Sequence, residues 1–103
     1  MRIASLFAVA ALVVAGAASA QTAPMTLTLQ NTSAAPSAAV IVDGVSWRCE
    51  TTGVCVGAGR GTEQPASRAC RRVVAQVGAV SAFTWRGQSL SAAQLATCNA
   101  SAR

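Results

Sequence analysis

The stretch Val40-Ile-Val-Asp-Gly-Val-Ser-Trp-Arg-Cys-Glu-Thr-Thr-Gly-Val-Cys-Val56 reads as two chain reversals in succession. Asp43-Gly44, set between β-branched runs, is the dipeptide of a two-residue hairpin turn in which both central residues take positive φ. Such a turn pairs Val42 with Val45 and Val40 with Trp47. Side chains alternate along a strand, so Val45, Trp47 and Cys49 share one face while Ser46, Arg48 and Glu50 share the other. The second reversal, Thr51-Thr52-Gly53, returns through Val54-Cys55-Val56 and sets Cys49 opposite Cys55. Directly opposed antiparallel residues have Cα atoms about 4.5–5.5 Å apart, within disulfide reach. The expected product is a three-stranded meander with a covalent cross-strand staple.

Downstream, Gly57-Ala-Gly-Arg-Gly61 reads as a connector and Thr62-Glu-Gln-Pro65 as a helix start. Ala66, Ala69, Cys70, Val73, Val74 and Val77 then recur at helical spacing, with Arg68, Arg71, Arg72 and Gln76 on the opposite side. Gly78 stands where a helix C-cap belongs. Val80 to Trp85 reads as a strand closed by Gly87. Ser91 and Gln94 have capping-box spacing, and Leu90 and Leu95 occupy the staple positions around them. The short helix that follows points Leu95 and Cys98 the same way. Cys70 and Cys98 each lie on an apolar helix face, which favours pairing them. The pairings 49–70 with 55–98 and 49–98 with 55–70 stay open on sequence alone. The expected fold is α+β: a β-β-β-α-β-α order forming a small disulfide-stapled antiparallel sheet with helices on one face.

Upstream, residues 1–20 carry one basic residue, Arg2, an apolar run from Ile3 to Val14, and Ala18-Ser19-Ala20. That is the build of a cleavable export signal, and its apolar run is shorter than the roughly 20 residues a membrane span needs. Cleavage after Ala20 leaves a chain of about 80 residues with no transmembrane anchor, small enough that disulfides commonly supplement its core. Residues 21–38 are rich in Ala, Ser, Thr and Pro and read as a flexible leader. The exception is Met25-Thr-Leu-Thr-Leu29, whose alternation fits a short strand. Residues 39–103 form the expected domain.

Catalytic material is scarce. The chain has no His, Tyr or Lys, and its acidic residues are Asp43, Glu50 and Glu63. Asp43 is accounted for by its turn, Glu50 by an outer strand face and Glu63 by a helix start. No paired carboxylates and no activating base for a Ser or Thr nucleophile are in view, so an enzyme is not expected. The cysteine spacing lacks the C-x-x-C of a redox pair and the paired knuckles of a zinc site, so no cofactor or metal is expected. Trp47 reads as core filling, and Trp85 fits either the core or an exposed anchor. The formal charge is +5, carried entirely by Arg. The cluster Arg68, Arg71 and Arg72, with Arg48, Arg60 and Arg86 as neighbours, is the one surface with binding potential. It suits lipid phosphates or an acidic envelope protein. Nucleic acid is not expected, for want of a recognition motif.

Asp43–Glu50 (DGVSWRCE), Cys55–Gly57 (CVG), Pro65–Arg71 (PASRACR), Phe83–Leu90 (FTWRGQSL) and Leu95–Asn99 (LATCN) resemble a family of small exported four-cysteine proteins of high-GC Gram-negative bacteria. That resemblance spans about residues 40–100 and implies an exported single domain. It lends no catalytic or binding residue. The expectation is therefore a periplasmic or secreted non-enzymatic domain that binds an envelope protein or anionic surface. The alternative is a periplasmic thiol-redox protein using Cys49 and Cys55.

Overall fold

The computed structural model describes residues 24–102. The expected signal segment, 1–20, lies outside the described residues. Strands β1 (Thr26–Leu29), β2 (Val40–Val42), β3 (Val45–Cys49) and β4 (Val54–Ala58) precede helix α1 (Ala66–Val77). Strands β5 (Val80–Trp85) and β6 (Gln88–Ser89) follow, and helix α2 (Ala92–Asn99) closes the order. The strands form one sheet in the order β2-β3-β4-β1-β5-β6, with every neighbouring pair antiparallel.

The β2-β3-β4 meander has the register set by its turns, with Val42 opposite Val45, Val40 opposite Trp47, and Cys49 opposite Cys55. Asp43 (φ 50°) and Gly44 (φ 84°) both sit at positive φ, as the two-residue turn requires. A second such turn, Arg86-Gly87, joins β5 to the short edge strand β6 and pairs Trp85 with Gln88.

The leader boundary needs correction. Residues 21–38 are not a leader throughout, and the ordered domain does not begin at Ala39. Thr26–Leu29 is inserted between β4 and β5, with Leu27 opposite both Cys55 and Phe83. Met25, Leu27 and Leu29 are buried in the core, so the alternation within the low-complexity segment is a central strand. The segment from Asn31 onward holds a short 3-10 turn, Thr32–Ala34, capped by the Asn31 side chain. The strand count therefore rises from four to six among the described residues, through β1 and β6. Leu29 pairs with Val80 after a register shift, so the β1–β5 ladder ends in a bulge.

One face of this sheet is covered and the other is not. On the covered face Val45, Trp47, Cys55, Leu27, Phe83 and Trp85 meet Ala69, Cys70, Val73 and Val74 of α1. Trp47 and Phe83 rings lie 5.9 Å apart, and Phe83 stacks on Trp85 at 6.4 Å. Trp85, for which sequence left two roles, is thus core. The glycine-rich stretch is more than a connector. A Cβ on Gly57 would stand 2.8 Å from Val45 Cγ1 and 3.2 Å from the Trp47 ring, so only glycine lets the indole lie against β4. Gly61 plays the same part beneath Trp85, where a Cβ would meet the ring at 3.1 Å.

Helix α1 starts after Pro65, which sits at the N-cap position without a side-chain cap, and stops at Gly78, whose N–H donates to the Val74 carbonyl. In α2 the capping box is complete: Gln94 N–H donates to Ser91 Oγ (3.2 Å), and Ser91 N–H donates to Gln94 Oε1 (2.8 Å). At its other end Asn99 clamps the start of β5. Its Oδ1 accepts from Val80 N–H at 2.9 Å, and its Nδ2 donates to the Val80 carbonyl at 2.8 Å. This amide ring takes the place of a strand neighbour for Val80, which the short β6 does not reach. Replacing Asn99 with Ala strands a buried N–H, since Gln30 reaches only the carbonyl, at 3.4 Å. Urea unfolding of Asn99→Ala should show a loss of about 1–3 kcal/mol. A change within experimental error would mean that water replaces the clamp.

Candidate functional site

Helix α1 presents Arg68, Arg71 and Arg72 on the side opposite its buried stripe, and all three are exposed. With Ile41, Asp43, Gln76 and Ser101 they line an open depression of about 490 Å³ between the helix and the β2 edge. The three guanidiniums are not equivalent. Arg72 Nε donates to Asp43 Oδ2 at 2.7 Å and its NH2 donates to Oδ1 at 2.9 Å, a bidentate pair across 29 residues of sequence. Gln64 adds a longer bond to the same carboxylate at 3.4 Å and a bond to Thr62 Oγ1 at 3.0 Å. The helix-start residues thus brace the hairpin turn rather than cap the helix.

Asp43 therefore has a second role that sequence reasoning did not assign. Nothing local signals it, because the turn alone explains an Asp there. The Arg72 guanidinium holds the Asp43 carboxyl below the ordinary carboxylate range, first through the hydrogen bonds and then through charge, with Arg68 assisting at longer range. A depressed carboxyl pKa stabilises the fold fully above the unfolded value of about 3.9 and ceases to as pH falls through the lower folded value. The chain should lose part of its stability below about pH 4. Asp43→Asn, which keeps a residue suited to the turn, should remove that part of the acid dependence and leave the rest of the profile unchanged. Thermal melts from pH 2 to 8 read this directly. An identical acid limb in both proteins would show that the pair contributes nothing.

Among the described residues Arg68 and Arg71 make no ion pair. The other arginines are not gathered around them. Arg48 projects from the uncovered sheet face, away from α1. Arg60 and Arg86 meet each other instead: Arg86 NH2 donates to the Arg60 carbonyl at 2.6 Å, and its guanidinium lies 5.9 Å from the Trp85 ring centroid. Arg86 also approaches Glu63 at 3.7 Å.

The cysteines form two bridges, Cys49–Cys55 within the meander and Cys70–Cys98 between the helices. The first has Cα atoms 3.9 Å apart and lies in the cross-strand row that continues through Leu27 to Phe83. Cys55, Cys70 and Cys98 are fully buried. Two disulfides belong with an oxidising compartment. Among the described residues no helix is long and apolar enough to cross a membrane.

No curated protein and no solved structure matches this chain. The model of a family of unknown function, DUF8200, matches residues 8–100, which takes in every described element and all four cysteines. The chain thus belongs to the DUF8200 family of unknown function.

Proposed function

We propose that this chain is an exported, non-enzymatic domain of the periplasm or the secreted fraction that binds an anionic envelope surface through Arg68 and Arg71. The observation that carries this reading is the unequal use of the arginine cluster. Arg72 is held by Asp43, which fixes the floor of the depression, while two exposed guanidiniums beside it have no acidic partner among the described residues. Unpaired guanidiniums on a rigid helix suit bidentate recognition of phosphate or carboxylate groups. The depression is open and polar-lined rather than a deep apolar pocket, which favours a charged surface over a protein hot spot.

Vesicles of zwitterionic phospholipid, with and without an anionic phospholipid, test it. Each Arg at an anionic surface is worth about 1 kcal/mol, so Arg68→Glu/Arg71→Glu should weaken salt-sensitive vesicle binding by at least about 30-fold. The melting temperature should hold, because neither side chain is packed. Equal binding of wild type to both vesicle types would refute the reading. The thiol-redox alternative has weaker support, since Cys55 is buried and the bridge belongs to a core row.

A further inference from the structure

The uncovered face of the sheet has a pattern that its register makes explicit. One cross-strand row runs Arg48, Val56, Thr26, Thr84, across β3, β4, β1 and β5. The next row runs Glu50, Val54, Thr28, Ala82. Glu50 lies one residue past β3 and donates its N–H to the Val54 carbonyl at 2.9 Å, so it continues the alternation. The exposed large apolar side chains of the domain are Ile41 (72%), Val54 (37%) and Val56 (52%), and the two valines stand at the centre of these rows. Arg48 and Glu50 are exposed and form no ion pair with each other or with any described residue.

We infer that this face is the interface of a two-fold homodimer, in which a second copy of the chain packs sheet against sheet. A two-fold axis lying between the two rows, in the plane of the interface and perpendicular to the strands, keeps each strand over its counterpart and exchanges the rows. Arg48 then faces Glu50 of the other copy twice over. Val56 faces Val54, Thr26 faces Thr28, and Thr84 faces Ala82. The charges meet their opposites, the valines meet each other, and the remaining positions set small side chains together, which is the self-complementarity an isologous contact demands. Strands nearly aligned across a gap of about 10 Å are the ordinary geometry of packed sheets. The patch is four strands wide, about 15–20 Å. An interface of this size belongs to the weak class.

Helix α1 lies on the opposite side of the sheet, so the dimer leaves both arginine faces outward and this inference stands apart from the vesicle test. Sedimentation equilibrium up to millimolar concentration is the experiment, with three variants. Val56→Glu should be monomeric with an unchanged circular dichroism spectrum and melting temperature, because the residue is exposed in the single copy. Arg48→Glu gives a chain acidic at both positions, and Glu50→Arg a chain basic at both, so each alone should self-associate at least tenfold more weakly. Mixed in equal amounts, the two should form a heterodimer at least as tight as wild type. A wild-type chain that stays monomeric at millimolar concentration overturns the inference. So do single variants that dimerise like wild type, or a mixture that fails to associate.

Discussion

A chain beginning at Ala39 will show no cooperative unfolding transition, whereas one beginning at Gln21 will. The shorter chain keeps both disulfides, both helices and five of the strands, yet it lacks the strand to which β4 and β5 bind. Its sheet falls into two pieces, β2-β3-β4 and β5-β6, with no ladder between them. Met25, Leu27 and Leu29 leave the core with it, all at most 4% exposed in the intact fold. Burying such side chains is worth about 1.5–3 kcal/mol each, so their sum matches or exceeds the 3–5 kcal/mol net stability typical of so small a domain. Two new open edges, β4 and β5, would also favour aggregation. Near-ultraviolet circular dichroism, which reports the packed Trp47 and Trp85, and a urea titration decide the matter. A sharp transition in the 39–103 chain would mean that β1 is an accessory strand.

The second large effect concerns the bridge between the helices. Cys70→Ala/Cys98→Ala should cost about 3.5 kcal/mol by loop-closure entropy alone, the bridged residues being 28 apart. Cys49→Ala/Cys55→Ala should cost about 2 kcal/mol, for a separation of 6. Alanine is the better probe, because serine would bury a hydroxyl at Cys55, Cys70 and Cys98, which are at most 1% exposed. The difference in placement sharpens the expectation. The meander bridge joins strands already tied by backbone hydrogen bonds, whereas Cys98 is the one fully buried residue of the eight-residue α2. Losing the helix bridge should lower the melting temperature by about 15–25 °C, and hydrogen exchange should show α2 opening before the sheet. Equal losses for the two bridges would argue that α2 is held chiefly by Leu95 and the Asn99 clamp.

What could be read from the chain tracks the distance over which each feature is determined. The meander and its Cys49–Cys55 contact follow from two turns and strict alternation, all within 17 residues. Helix α1 follows from an apolar stripe bounded by Pro65 and Gly78, and the start of α2 from Ser91 and Gln94. Strand β1 was visible only as an alternation, because its partners, Val54–Val56 and Val80–Thr84, are remote and its composition is that of a linker. Strand β6 is two residues long and carries no periodic signal. At the candidate site the clustering of Arg68, Arg71 and Arg72 is a local helical property and was legible. The pairing that sets Arg72 apart depends on the hairpin turn docking beside α1, and no pattern in either segment announces it. The dispersal of Arg48, Arg60 and Arg86 has the same origin.

The position of β1 also dictates when the fold can form. A polypeptide released N-terminus first, from a ribosome or a translocation channel, presents this strand before either of its neighbours exists. β4 arrives about 28 residues later and β5 about 56 later, as the pairs Leu27–Cys55 and Leu27–Phe83 measure. No stable sheet can close in instalments around a middle strand that must wait for both sides, and such non-local pairing is slow. The domain is thus built to remain unfolded until its last third has emerged and then to fold as one event, with the Cys70–Cys98 bridge able to form only at the end.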